Sequence, residues 1–128
     1  MSKPRLQLRQ LPIEAESELK QLLDQVGALN GVIGSLVVGH DGWVIANTMP
    51  PDTDPELLAQ KALDIYKCTS AAVTKLGHMH VHQLVGRTSH GYVVIADFGG
   101  GLLVIISNAS ETSALIPLMR SITGLTGQ

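Results

Sequence analysis

The run His78-Met79-His80-Val81-His82 sets three imidazoles at alternate positions, and imidazole either ligates a metal ion or exchanges a proton near neutral pH. Alternation is the period of a β-strand, so the three rings fall on one face, with the first and last roughly 13 Å apart. A single ion cannot be reached by all three from a straight strand. No cysteine or acidic residue lies beside them in the chain to complete a ligand set. If two copies met along this strand, their imidazoles would gather near the axis and form a weak metal site or a pH-sensitive contact. Plain strand polarity is the default that either idea must displace.

Other motifs carry less chemistry. Asp97-Phe98-Gly99 matches the metal-binding triplet of protein kinases, but 128 residues cannot also hold a catalytic loop, a glycine-rich loop and a lysine strand. The run Gly99–Gly101 reads as a tight turn, since nothing matches a phosphate-binding GxxxxGK[ST]. His40-Asp41 lies in a turn signal with no serine or cysteine nucleophile beside it, so turn chemistry suffices. Asn108-Ala109-Ser110 fits a glycosylation acceptor in a chain that shows no export signal. Cys68 is expected as a small buried or interface thiol. Arg87 is the arginine best placed to reach a partner's phosphate, but a plain surface role is the expectation, because single exposed arginines are common. No catalytic residue, cofactor site or metal site is assigned, and the expectation is a protein that is not an enzyme.

Composition narrows the class further. Net charge is −2, with both signs scattered, and the only aromatics are Trp43, Tyr66, Tyr92 and Phe98. A basic surface studded with stacking rings is missing, which argues against nucleic acid. With one cysteine there is no internal disulfide. The first residues lack the apolar core of a secretion signal, and no apolar run reaches the ~18 residues of a membrane span. A cytoplasmic protein without cofactor is expected.

Stepping along the chain, residues 1–12 are polar and aperiodic and are expected to form a flexible lead-in to a single domain over 13–128. Ile13, Leu19, Leu22, Leu23, Val26 and Leu29 recur at helical spacing and predict a helix over about 13–28. Two apolar runs around Asp41-Gly42 predict a hairpin with strands near 32–38 and 43–48. Asp54 as cap, Pro55 at the first helical position and Glu56 in the first turn start a second helix that runs to about Leu76. Then "HMHVHQLVGRT", "GYVVIADF" and "GLLVIIS" predict three strands of an antiparallel meander, and the tail predicts a third helix capped near Ser110, with Pro117 inside it. The fold class is an α+β sandwich: a five-stranded antiparallel sheet with helices on both faces, in the order α-β-β-α-β-β-β-α.

The second helix is too apolar for one neighbour. Leu58, Ala59, Ala62, Leu63, Ile65, Tyr66, Val73 and Leu76 cover an arc of roughly 180°, where about 100° suffices for a helix on one surface. Another copy of the same helix across a two-fold axis would bury the excess, which predicts a homodimer through Leu58, Ala62, Ile65 and Tyr66. The remaining face carries Lys61, Lys67 and Lys75 against Asp64 alone. It is either an ordinary solvated face or a dock for an acidic partner.

The "GVIGSLVVGHDGWVIA" hairpin, the alanine-rich helix "PELLAQKALDIYKCTSAAVTKLG" and the "GYVVIADFGGGLLVIIS" hairpin, in that order, resemble the roadblock family of dynein light-chain domains over about residues 13–126. The resemblance implies a homodimer in which third strands pair edge to edge, bringing His80, Val81 and His82 into the interface, and second helices pack side by side. It further implies a platform for a small Ras-like GTPase or a motor subunit; bacterial MglB-type members stimulate a GTPase without contributing an arginine finger. Pro117 and the histidine-rich strand depart from the family pattern. Competing expectations are an adaptor with no GTPase partner, and a small profilin- or PAS-like sensor that binds a metabolite or metal ion.

Overall fold

The computed structural model describes residues 13–29, 31–77, 80–108 and 120, with the backbone alone for 13–18. Helix α1 spans Ile13–Gly27 and leads into strand β1, Val32–Val38. The Asp41-Gly42 turn forms where its sequence places it. The Asp41 carboxylate accepts the Trp43 amide at 3.1 Å, Gly42 sits at φ +95°, and the Gly39 amide closes the loop on the Trp43 carbonyl at 2.9 Å. That closure absorbs Trp43, so β2 is the short Val44–Asn47 rather than the expected 43–48. Helix α2, Pro55–Lys75, starts on the Asp54 carboxylate, which accepts the Glu56 and Leu57 amides at 3.1 and 3.2 Å. Strands β3 (Gln83–Thr88), β4 (Gly91–Asp97) and β5 (Leu102–Ser107) complete the described chain.

The five strands form one antiparallel sheet in the order β2-β1-β5-β4-β3, so the first hairpin and the meander join through β1 and β5. Strand alternation divides the core in two. Leu36, Val38, Ile95, Leu102 and Val104 face α2 with Ala59, Ala62, Leu63 and Tyr66. Val37, Val94, Ala96, Leu103 and Ile105 face the other way, onto Leu23 and Val26 of α1. Strands covered on both sides must be apolar at every position, which explains the unbroken run Leu102-Leu103-Val104-Ile105. The layered class and the order α-β-β-α-β-β-β are as expected.

One boundary differs. The strand expected from His78 begins only at Gln83. Backbone and side chains just before it are held otherwise: the Val81 carbonyl accepts the Tyr66 hydroxyl at 3.0 Å, and the His80 ring turns to Asp97. Only the His82 carbonyl keeps a ladder-like bond, from the Asp97 amide at 2.9 Å. His78, the lead-in 1–12 and the third helix near Ser110 with Pro117 lie outside the described residues, and Arg120 is helical.

Candidate functional site

Two places concentrate side chains that packing alone does not explain. The first lies along α2. Ala59, Ala62, Leu63 and Tyr66 are buried and Leu58 and Val73 are half-buried, whereas Leu57, Ile65 and Leu76 are 52%, 54% and 76% exposed. A groove of about 450 Å³ runs between this exposed side and β3, walled by Leu58, Ile65, Leu84 and Val85. Strand β3 is an edge of the sheet, and its outward Val85 is 41% exposed. Full burial of one such side chain is worth roughly 1.5–3 kcal/mol, so the stripe and edge together form an attractive docking face.

The residues singled out from sequence fall unevenly on this face. Leu58, Ala62 and Ile65 border the groove, Tyr66 and Val81 are buried within one chain, and His80 and His82 are exposed on the α2–β3 connection. Lys61 and Arg87 line the groove, while Lys67 and Lys75 are exposed on α2 outside it. Cys68 is exposed on the same helix.

The second place is polar and was not foreseen. Register puts Val38, Leu102 and Asp97 in one row at one end of the sheet, and the His82 carbonyl extends that row beyond Asp97. The Asp97 side chain, 8% exposed, therefore meets groups from three connections and a helix. Tyr66 of α2 donates its hydroxyl to Oδ2 at 3.0 Å, His80 Nε2 stands 2.9 Å from Oδ2, His40 Nε2 stands 3.7 Å from Oδ1, and the Gly99 amide donates to Oδ1 at 2.9 Å. The His82 ring meets the His80 ring edge-on, centroids 4.7 Å apart. Among the described residues, no group of three or more histidines, cysteines and acidic residues is arranged to hold a metal ion.

Burial by itself would raise the Asp97 carboxyl, but the Gly99 amide, the Tyr66 hydroxyl and the charges of His40 and His80 outweigh it and hold the group below its ordinary 3.8. Tyr66 is pushed up, first by burial and then by its bond to Asp97 and that residue's charge. A depressed carboxyl contributes stability above its unfolded pKa and loses it as pH falls through the lower folded value, so the window lies below about pH 4. The Tm advantage of the wild type over Asp97→Asn is expected to shrink from pH 7 to pH 3. An equal advantage at both pH values would show that the ionised form is not the one that matters.

The comparisons with known proteins can now be set on this geometry. The Roadblock/LC7 domain profile matches residues 18–107, from α1 to the last residue of β5. The chain belongs to the Roadblock/LC7 family. This roadblock chain is 32% identical over 101 residues to the uncharacterized protein MJ0714 of Methanocaldococcus jannaschii, covering 79% of the chain and 86% of that protein. Myxococcus xanthus MglB has the same fold, with a TM-score of 0.76 at 12% identity over 90% of this chain and 89% of that one. MglB in a tetrameric arrangement gives 0.71 at 18% identity, covering 91% and 90%.

The sequence singled out the apolar arc of α2, of which Ala59, Ala62, Leu63 and Tyr66 are buried within the chain, but gave no hint of the Asp97 cluster. The signal that could have found it is positional. His40 follows β1 by two residues, Asp97 ends β4 and His80 precedes β3, so an antiparallel sheet of this order brings all three to the same end. None of the described helices is long and apolar enough to cross a membrane.

Proposed function

We propose that this roadblock chain is a cytoplasmic homodimer, joined through α2 and the edge of β3, that regulates or scaffolds a small Ras-like GTPase without an active site of its own. The observation that carries this reading is Ile65, 54% exposed on the groove beside the open β3 edge with Val85 exposed across it, while Leu57 and the cap residue Leu76 leave further apolar surface on the helix uncovered. A two-fold axis along α2 would bury the stripe against itself and let β3 continue into a second sheet. The tetrameric arrangement of MglB, a chain of this fold, supports self-association. The GTPase follows from the family resemblance to MglB-type members, with exposed Lys67 and Lys75 as contacts for an acidic partner, whereas Lys61 and Arg87 line the groove that the second copy would cover.

The test is to purify the tagged protein from its own cells and identify by mass spectrometry what accompanies it. One small GTPase, enriched above controls and retained when loaded with a non-hydrolysable GTP analogue, is the expected result. Hydrolysis rates with and without the roadblock dimer then separate an activator from a scaffold. Recovery of the chain with no GTPase would overturn the GTPase half of the reading and leave an adaptor.

A further inference from the structure

The Asp97 cluster plays no part in the docking face, yet it gathers titratable groups around one buried carboxylate at the point where the chain enters β3. We propose that His80, Asp97 and His40 form a protonation-operated clasp that holds the α2–β3 connection, and through it the start of the open edge strand, against the body of the domain. The geometry is that of a carboxylate gripped from two sides. His80 Nε2 lies 2.9 Å from one oxygen and His40 Nε2 lies 3.7 Å from the other, and both rings are open to solvent, with side chains 49% and 38% exposed.

With Asp97 ionised, the His80 contact at 2.9 Å is a charge-assisted hydrogen bond whichever charge the ring carries, and a charged ring adds Coulomb attraction to it. His40 at 3.7 Å is too far for a hydrogen bond and acts through its charge alone, so it contributes only when protonated. Imidazole is the side chain whose charge changes between about pH 5 and 8, whereas Asp97 is held low and Tyr66 is raised, so neither of these changes state in that window.

Each element packed against Asp97 contributes to the balance. The β1–β2 turn brings His40 with Asp41 beside it, α2 brings Tyr66, and the connection brings His80 and His82. Of the strands flanking β4, β5 carries no titratable side chain and β3 carries Arg87, which pairs with Tyr92 at the far end of β4; β1 and the turn Phe98–Gly101 carry none. His82 opposes closure in part, because its ring lies against His80 and shares its sign when both are protonated. Its carbonyl nonetheless supplies the reporter: the Asp97 amide donates to it at 2.9 Å, across the join that the clasp holds.

Closure is a property of a single chain, so it can be measured whether or not the dimer of the proposed function exists. The experiment follows hydrogen exchange of the Asp97 amide, corrected for the intrinsic pH dependence, at about pH 5.5 and about pH 8. The wild type is expected to show about threefold greater protection at the lower pH, the scale of a partly exposed ion pair. His90→Gln, at the far β3–β4 turn, is expected to keep that ratio, whereas His80→Gln loses it and His40→Gln reduces it. A flat wild-type ratio overturns the clasp. So does a His80→Gln ratio equal to that of the wild type.

Discussion

Substituting Gly91 with alanine is expected to cost about 3–5 kcal/mol of folding stability, a third or more of what a domain of this size commonly has. Gly91 sits at φ +153°, which L side chains rarely adopt, and a Cβ there would overlap the Ser107 carbonyl oxygen and meet the Asn108 Cα at 2.8 Å. Neither atom belongs to a side chain that can turn away. Ser107 is paired on both sides, to Val32 of β1 and Tyr92 of β4, so relief requires parting the sheet at that end. Gly86→Ala is the matched control: its nearest contact is the Val93 carbonyl oxygen at 4.0 Å, and a change under about 1 kcal/mol is expected. Denaturant unfolding of the two variants checks the pair. A Gly91→Ala loss as small as that of the control would mean that the β3–β4 turn relaxes freely.

The largest effect on assembly is expected from Ile65→Glu, which should weaken the proposed dimer by a factor of about 100 or more, equivalent to about 2.7 kcal/mol. Ile65 is 54% exposed in one chain and borders the groove, so a glutamate there is solvated in the monomer. Across a two-fold axis, two glutamates would instead be brought together in a desolvated seam, where unpaired charge is costly. The monomer should therefore melt within a few degrees of the wild type. Leu58→Glu differs, because Leu58 packs against the core on the α2 side and its replacement should lower both Tm and association. Sedimentation over a concentration series reads association, and thermal unfolding reads Tm. An Ile65→Glu protein that stays dimeric at wild-type concentrations would place the interface elsewhere.

Much of this architecture was legible because local chemistry and global packing agree. Asp54-Pro55-Glu56 starts α2 and Asp41-Gly42 turns the first hairpin just where capping and turn preferences put them. The run over β1 was read to its observed bounds, Val32–Val38, because apolar residues occupy both of its faces. The β3 boundary failed for an instructive reason. Alternation at His80 and His82 is strand-like, and the two rings do share a side, but Tyr66 and Asp97 bind this segment through side chains that sequence spacing cannot pair with it. The width of the α2 stripe was visible from the sequence; which half the sheet would cover was not. That depended on the lateral position of the helix over β1, β2 and β5, a tertiary quantity.

The two borders of the sheet are not alike, and this bears on how many copies can join. Strand β2 offers four residues and then runs into Thr48, Met49, Pro50 and Pro51, two of which lack an amide hydrogen to donate. Thr48 is also tied inward, its hydroxyl to that of Ser35 at 2.8 Å and its amide to the Ser35 carbonyl at the same distance. Strand β3 offers six residues with no such stop. A sheet receptive along both margins can add molecules without end and grow into a fibril, whereas one receptive along a single margin is satisfied after one addition. In the proposed pairing through β3, the blunted β2 margin would act as a chain terminator.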